Sequence, residues 1–348
     1  IGSSLVGVLY VLDEPSIGLH QRDNRRLIKT LQELRDAGNS VLVVEHDEDM
    51  MREADFIVDV GPKAGRRGGQ IVATGTIEDI MRSSSITADY LCGRRRIEIP
   101  ERLREGTGEK ITLRGARGNN LKGVDVEFPL GKFICITGVS GSGKSSLVKG
   151  VLYPALRRLI MESGENPGDF DGLSGDLKLI KGVEMIDQNP IGKSSRSNPV
   201  TYIKAYDEIR RLYADLPYAQ RTNIQPSNFS FNVAGGRCEQ CQGEGVIKIG
   251  MQFMADVTLT CDACNGRRFK QEILDIKYRD KDICDVLDMS IDEAINFFGE
   301  DSSNNTCRRI VERLKPLQDV GLGYVRLGQS AVTLSGGESQ RMKLAAEL

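Results

Sequence analysis

No apolar run in this sequence approaches the roughly 18 residues that a membrane-spanning helix needs. The first residues, Ile1-Gly2-Ser3-Ser4, carry neither a basic flank nor an apolar leader core. A membrane role and export are therefore not expected, and a cytoplasmic location is. An excess of positive charge is also missing. The formal net charge is −2, which excludes a uniformly basic nucleic-acid glove but leaves room for a local basic groove. A long heptad pattern is absent, so no extended coiled coil is expected. Disorder is not indicated either, because 39% hydrophobic and 28% charged residues over 348 positions suit two or more domains with their own cores. Disulfides are not the natural reading of the eight cysteines. Four of them fall in two Cys-x-x-Cys pairs, which without a leader points to metal.

What is present alternates between strand and helix. Residues 7–12 form a continuous apolar run ending in two acids, as a buried parallel strand does where it opens onto a site. Residues 22–37 read as a helix with Leu27, Ile28, Leu31 and Leu34 on one face and Gly38-Asn39 as its stop. A strand over 41–44, a glycine-rich loop over 61–69 and a strand over 70–73 follow. From about Cys92 to Lys110 the chain turns polar and charged, which places a boundary there. Then come a β-rich stretch over 111–128, a buried strand over 132–137 and a helix over 144–161. Helical patterning returns over 291–298 and 308–317, and a last helix begins near Gly336.

The match Gly138-Val139-Ser140-Gly141-Ser142-Gly143-Lys144-Ser145, followed by Ser146, fills every fixed position of a phosphate-binding loop between a strand and a helix. Glycines let consecutive N–H groups point inward at phosphate oxygens, and the helix adds the positive end of its dipole. Lys144 is expected on the β- and γ-phosphates of ATP and Ser145 on Mg²⁺. In Leu12-Asp13-Glu14-Pro15, Asp13 suits ordering Mg²⁺ and its waters, and Glu14 suits orienting the attacking water. His46 lies at the C-terminal end of another strand, where a packing or capping role is the alternative.

Cys238-x2-Cys241-x19-Cys261-x2-Cys264 has the spacing of a structural four-thiolate Zn²⁺ site, two tight knuckles joined by a β-hairpin. Four thiolates leave no open position for chemistry. Gly243, Gly245 and Gly266 follow the knuckles. Met251, Phe253 and Met254 lie in the intervening ribbon and suit local core or contact alike. Cys92, Cys135, Cys284 and Cys307 lack such partners and read as ordinary thiols. Lys193 and Arg196 with their neighbouring serines, then Lys204 and Arg210, have the chemistry of phosphate contact without base reading, or of a solvated face.

Together the phosphate loop, the acid pair with its Ser16 loop, His46 and Leu334-Ser335-Gly336-Gly337-Glu338 resemble an ABC-type P-loop ATPase. With the four-cysteine insertion and the continuation Ser339-Gln340-Arg341, the chain resembles the UvrA family, the DNA-damage recognition A subunits of the bacterial excinuclease, over essentially its whole length. The resemblance implies an α/β fold of two partial tandem cassettes with an inserted zinc domain. Residues 1–92 would be the latter part of a first cassette and 93–162 the start of a second. Residues 163–300 would be an inserted domain with the zinc module at 238–264, and 301–348 the signature region. It implies that Gln188 is the Mg²⁺-sensing Q-loop residue, and that Ser335, Gly336 and Gly337 clasp the γ-phosphate of a nucleotide held by the facing cassette.

Expected partners are double-stranded DNA with lesions, read through shape and deformability, a second copy in a homodimer, and a UvrB-type nuclease-loading subunit. Since neither ATP site would be complete, the chain alone is expected to hydrolyse ATP negligibly. Three other classes are weighed. A transporter ATPase subunit has no use for a four-cysteine module between phosphate loop and signature. A zinc-hook repair ATPase would show a long coiled coil and a single hook. A zinc-dependent protein-binding module, whose Cys-x-x-Cys-x-Gly-x-Gly pattern in J-domain co-chaperones is similar to residues 238–245, would bind unfolded clients rather than damaged duplex.

Overall fold

Leu27, Ile28, Leu31 and Leu34 share one helical face, and the helix forms over Gln21–Asp36. His20 starts it, its Nδ1 accepting from the Arg22 N–H at 3.2 Å. Gly38, at φ +93°, ends it by returning its N–H to the Arg35 carbonyl at 2.9 Å. This helix joins β1 (Leu9–Asp13) to β2 (Ser40–Val44), which pair in parallel from Leu9 opposite Ser40 to Asp13 opposite Val44. A parallel pair needs such a crossover. Ile28, Leu31 and Met50 are buried, with Leu12, Val41 and Val43 packed on them. The expectation of a fully buried first strand is corrected: Leu9 and Val11 are 60% and 65% exposed. The reason is the alternation of side chains along the strand: Leu12 packs toward Ile28 and Leu31, and Leu9 and Val11 point to the opposite, exposed face.

The computed structural model describes residues 6–192, 194, 196–250 and 257–348. They fall into two compact units, one ending at Met185 and one running from Ile186 to Leu348. In the first unit, β3 (Ile57–Gly61) and β4 (Gln70–Gly75) form an antiparallel pair. Ile80, Ala88 and Leu91, from the helices Ile77–Arg82 and Ile86–Leu91, are buried in a cluster that takes in Ile57 and Ala73. Next, β5 (Lys110–Ala116) lies between β6 (Val124–Pro129) and β7 (Gly172–Gly175), antiparallel to both. Leu113 and Val151 are fully or almost fully buried beneath this sheet's cluster.

Residues 132–137, expected as a buried strand, belong to no strand, and Phe133 is 100% exposed. A strand buries its backbone only where a neighbour takes its N–H and C=O groups, and among the described residues none lies alongside. The following helix opens at Lys144, widens into π-helical turns over Ser146–Leu152 and continues as an α-helix over Tyr153–Met161. Such widened turns are uncommon overall and are frequent at functional sites.

The second unit is mainly helical around one core. In the helix Asn305–Asp319, the spacing of Cys307, Ile310, Leu314 and Leu317 puts all four on one face, and all are at 0% exposure. Asn304 caps it, its side chain accepting from the N–H groups of Thr306 and Cys307. The helix Ala205–Ala214 packs Ile209 and Tyr213 into the same core, where the Tyr213 and Phe229 rings lie 5.6 Å apart. From this body rises an antiparallel hairpin, β8 (Val246–Ile249) with β9 (Val257–Thr260). The ribbon residues Met251, Phe253 and Met254 lie outside the described residues.

Candidate nucleotide and metal sites

The parallel pairing brings Asp13, Glu14 and His46 to the C-terminal ends of β1 and β2. Glu14 takes a left-handed conformation (φ +45°) and donates its N–H to the Val44 carbonyl at 2.9 Å. A non-glycine residue in that region is held there by its surroundings. His46 Nδ1 lies 3.9 Å from Glu14 Oε1, and both side chains are open to solvent at 81% and 45%. Glu45 fastens the turn, accepting from the Ser16 N–H at 2.9 Å and the His46 N–H at 3.1 Å. Burial works to raise the Glu45 carboxyl, but hydrogen bonds from the Ser16 hydroxyl and from the N–H groups of Ser16, His46 and Asp47 outweigh it and hold it below its usual value. Asp47 caps the helix Glu48–Glu53 and accepts from Asn24.

The phosphate loop curls through Gly138, Gly141 and Gly143, at φ +148°, +76° and +105°. A Cβ on Gly138 would lie 2.9 Å from Ser142 Oγ. Lys144 Nζ donates to the Gly138 and Val139 carbonyls at 2.7 and 2.9 Å, which sets its ammonium inside the curl. Ser145 and Ser146 begin the helix that follows. Two residues that sequence reasoning passed over brace the loop: Asn120 donates to the Gly141 carbonyl at 2.9 Å and Asn119 to Ser146 Oγ at 3.0 Å. Their only signal was an Asn-Asn pair between two strand-forming stretches. Ser140 also meets the loop after the acid pair, with its N–H 3.4 Å from Asp23 and its hydroxyl 3.4 Å from the His20 N–H. Partial desolvation opposes ionisation of Asp23, but the Ser140 N–H and hydroxyl, with Arg22 and Arg26, hold it below the ordinary carboxylate value.

In the second unit Ser335 caps the helix Gly336–Ala346 in a capping box with Glu338. Gln188 is beside it, since a Cβ on Gly336 would lie 3.8 Å from Gln188 Cβ, and Gly337 has open space around it. Asp187 pairs with Lys343 from the same helix, which fixes where Gln188 leaves the chain.

The four cysteines converge. All four sulfurs lie within 4.8 Å of one another, with Cys238 and Cys261 at 3.9 Å and Cys241 and Cys264 at 3.7 Å. Four sulfurs about 2.3 Å from a tetrahedral centre lie about 3.8 Å apart, so the donor set fits a zinc-sized ion. The knuckle backbone supports this: Gly245 donates its N–H to Cys241 Sγ at 3.2 Å, and Cys238 donates its N–H to the Arg268 carbonyl at 2.8 Å. Burial pushes the Cys264 thiol up to about 12 and raises Cys241 as well, whereas at Cys261 burial is outweighed by hydrogen bonds from Cys264, Ala263 and Cys241, which lower it. A cation among the sulfurs would favour the thiolate at Cys241 and Cys264.

Among the described residues, those expected to meet DNA do not form one free patch. Lys193 lies outside the described residues. Arg196 turns toward the zinc knuckle, 3.4 Å from Gln242 Oε1 and 3.7 Å from Glu244 Oε1. Arg210 pairs with Asp207 and lies over the Tyr206 ring at 5.6 Å. Lys204 is exposed in a left-handed turn at φ +60°.

No protein-family model matches the chain. Over 349 aligned residues it is 53% identical to the UvrABC system protein A of Clostridium perfringens, which covers 100% of this chain and 36% of that protein. The UvrABC system protein A of Thermus thermophilus is 54% identical, with the same shares covered. The crystal structure of UvrA2 from Deinococcus radiodurans is similar with a TM-score of 0.90 and 46% identity, over 99% of this chain and 41% of that one. The chain thus spans about a third of the length of these relatives. The α/β ABC-type ATPase architecture with an inserted four-cysteine module is borne out by that structural likeness and by the sulfur cluster, and among the described residues no helix is long and apolar enough to cross a membrane. The chain belongs to the UvrABC system protein A family.

Proposed function

We propose that the chain carries nucleotide-handling and DNA-contacting parts of an ATP-dependent DNA-damage recognition subunit of nucleotide excision repair. The whole protein binds distorted duplex DNA as a homodimer and loads a UvrB-type nuclease partner, with ATP hydrolysis gating DNA engagement. Residues 1–92 belong to a first cassette, 93–162 to a second, 163–300 to an inserted domain and 301–348 to its signature region. The observation that supports this reading most is that the four-sulfur cluster, Gln188 and the capped signature helix share one compact unit.

Each group has a task it is shaped for. Lys144 would exchange the carbonyls it now holds for β- and γ-phosphate oxygens, and the loop N–H groups with the helix dipole would take the remaining charge. Ser145 would help hold Mg²⁺, which when bound would supply positive charge against that of the phosphates. At a separate nucleotide, Asp13 would take the corresponding metal position. There Glu14 would align a water against the γ-phosphorus, so that the bond to the leaving ADP oxygen breaks as the bond to water oxygen forms, and His46 beside it would donate to the γ-phosphate. Ser335 with the N–H groups of Gly336 and Gly337 forms an anion-binding helix start. Cys238, Cys241, Cys261 and Cys264 would hold Zn²⁺ as a structural ion that stiffens the hairpin.

The test uses the full-length protein. Lys144→Ala is expected to lower ATP affinity and turnover together, whereas Glu14→Gln lowers turnover and leaves ATP bound. Turnover unchanged in both variants would overturn the assignment.

A further inference from the structure

The start of the signature helix is a closed hydrogen-bond circuit with a member from outside the motif. Ser335 Oγ accepts from the Glu338 N–H at 3.2 Å, and Glu338 Oε2 accepts from the Ser335 N–H at 2.8 Å. The second carboxylate oxygen, Oε1, accepts from the Tyr324 hydroxyl at 2.6 Å. A capping box alone holds only one oxygen of its carboxylate and leaves the other free to swing. Here both oxygens are held. Because Ser335 Oγ is engaged as an acceptor, its own hydrogen remains free to donate, and the space beside Gly337 is open.

Tyr324 is itself well anchored. Leu322 and Val325 on either side of it are at 0% and 1% exposure, and the Val325 carbonyl accepts from the Ile291 N–H at 2.9 Å. Burial first, then the bond to Glu338, raises the phenol's pKa, with Arg341 opposing, so it stays a donor at neutral pH. The bond therefore ties the first turn of the signature helix to the core of its unit.

We infer that Tyr324 is a positioning residue for the signature motif: its hydroxyl locks the Glu338 carboxylate, and through the capping box this aims the Ser335 hydroxyl at a γ-phosphate oxygen. This rests on the ATPase reading above. ADP has no γ-phosphate, so its binding should not depend on Tyr324, whereas that of a triphosphate should.

The experiment compares Tyr324→Phe and Ser335→Ala with wild type in the full-length protein, using AMP-PNP and ADP as probes and amide hydrogen exchange as an independent readout. Tyr324→Phe is expected to speed exchange at residues 335–338 and to weaken one component of AMP-PNP binding by about tenfold, the scale of one charge-assisted hydrogen bond. ADP binding and exchange in the helix Asn305–Asp319 should be unchanged. Unchanged exchange at 335–338 would overturn the inference, and so would an equal loss for AMP-PNP and ADP, which marks a merely structural residue. A defective Ser335→Ala beside a normal Tyr324→Phe sinks this inference alone. A normal Ser335→Ala would sink the ATPase reading of the motif and the inference with it.

Discussion

Gly245 resists a side chain in the four-cysteine module for reasons that can be separated into parts. It sits at φ +77°, donates to Cys241 Sγ at 3.2 Å, and a Cβ there would lie 2.7 Å from the Gly266 carbonyl oxygen and 3.1 Å from Arg268 Cγ. Gly266 provides an internal control: its φ is +79°, but the nearest atoms to its Cβ position are 3.4 and 3.9 Å away. The left-handed backbone costs an L-residue about 1–2 kcal/mol at either position. Only Gly245→Ala adds overpacking against a backbone carbonyl that cannot turn away, about 1–3 kcal/mol more. Metal binding and knuckle formation are one event in small zinc modules, so the strain appears as lost metal affinity. Gly266→Ala should weaken zinc retention about 5- to 30-fold, and Gly245→Ala about 30- to 5000-fold. Chelator competition on the intact protein, read as alkylation of Cys238, Cys241, Cys261 and Cys264 by peptide mass spectrometry, reports on this site alone. Equal losses for the two variants, or a larger loss for Gly266→Ala, would refute the steric reasoning.

Glu45 carries a pH dependence with a definite sign. Its folded-state value lies below the ordinary 4.5, so its stabilisation of the turn is complete above that value and is lost as pH falls through the lower one. Exchange of the Ser16 and His46 amides should be faster in Glu45→Gln than in wild type near neutrality, and the difference should vanish in acid. Lys204→Glu should lower the slope of log affinity for duplex DNA against log salt by about 0.9 if the residue meets one phosphate. Arg196→Ala should speed amide exchange in the zinc knuckle even without DNA, because it releases Gln242 and Glu244. An unchanged knuckle would show that those contacts contribute nothing to its order.

The parts legible in the sequence are those whose chemistry is local. A phosphate loop needs its glycines, Lys144 and Ser145 at fixed offsets, and each zinc knuckle needs two cysteines with a glycine turn, so spacing alone exposes them. The helix Gln21–Asp36 was legible for the same reason, its face and its glycine stop both being local. Long-range partnership was not legible. Nothing near Arg196 signals that its carboxylate partner is Glu244, and nothing near Ser335 signals Tyr324. Residues 132–137 show the converse failure. Their apolar composition reads as a buried strand, but burial depends on neighbouring strands that composition cannot supply, and Phe133 is fully exposed.

The most direct test of the central claim is binding of the full-length protein to lesion-bearing and intact duplexes of one sequence, with ATP, in wild type and Lys144→Ala. The account predicts that wild type favours the damaged duplex and that Lys144→Ala loses the nucleotide dependence of that preference. Equal wild-type affinity for the two duplexes would contradict it.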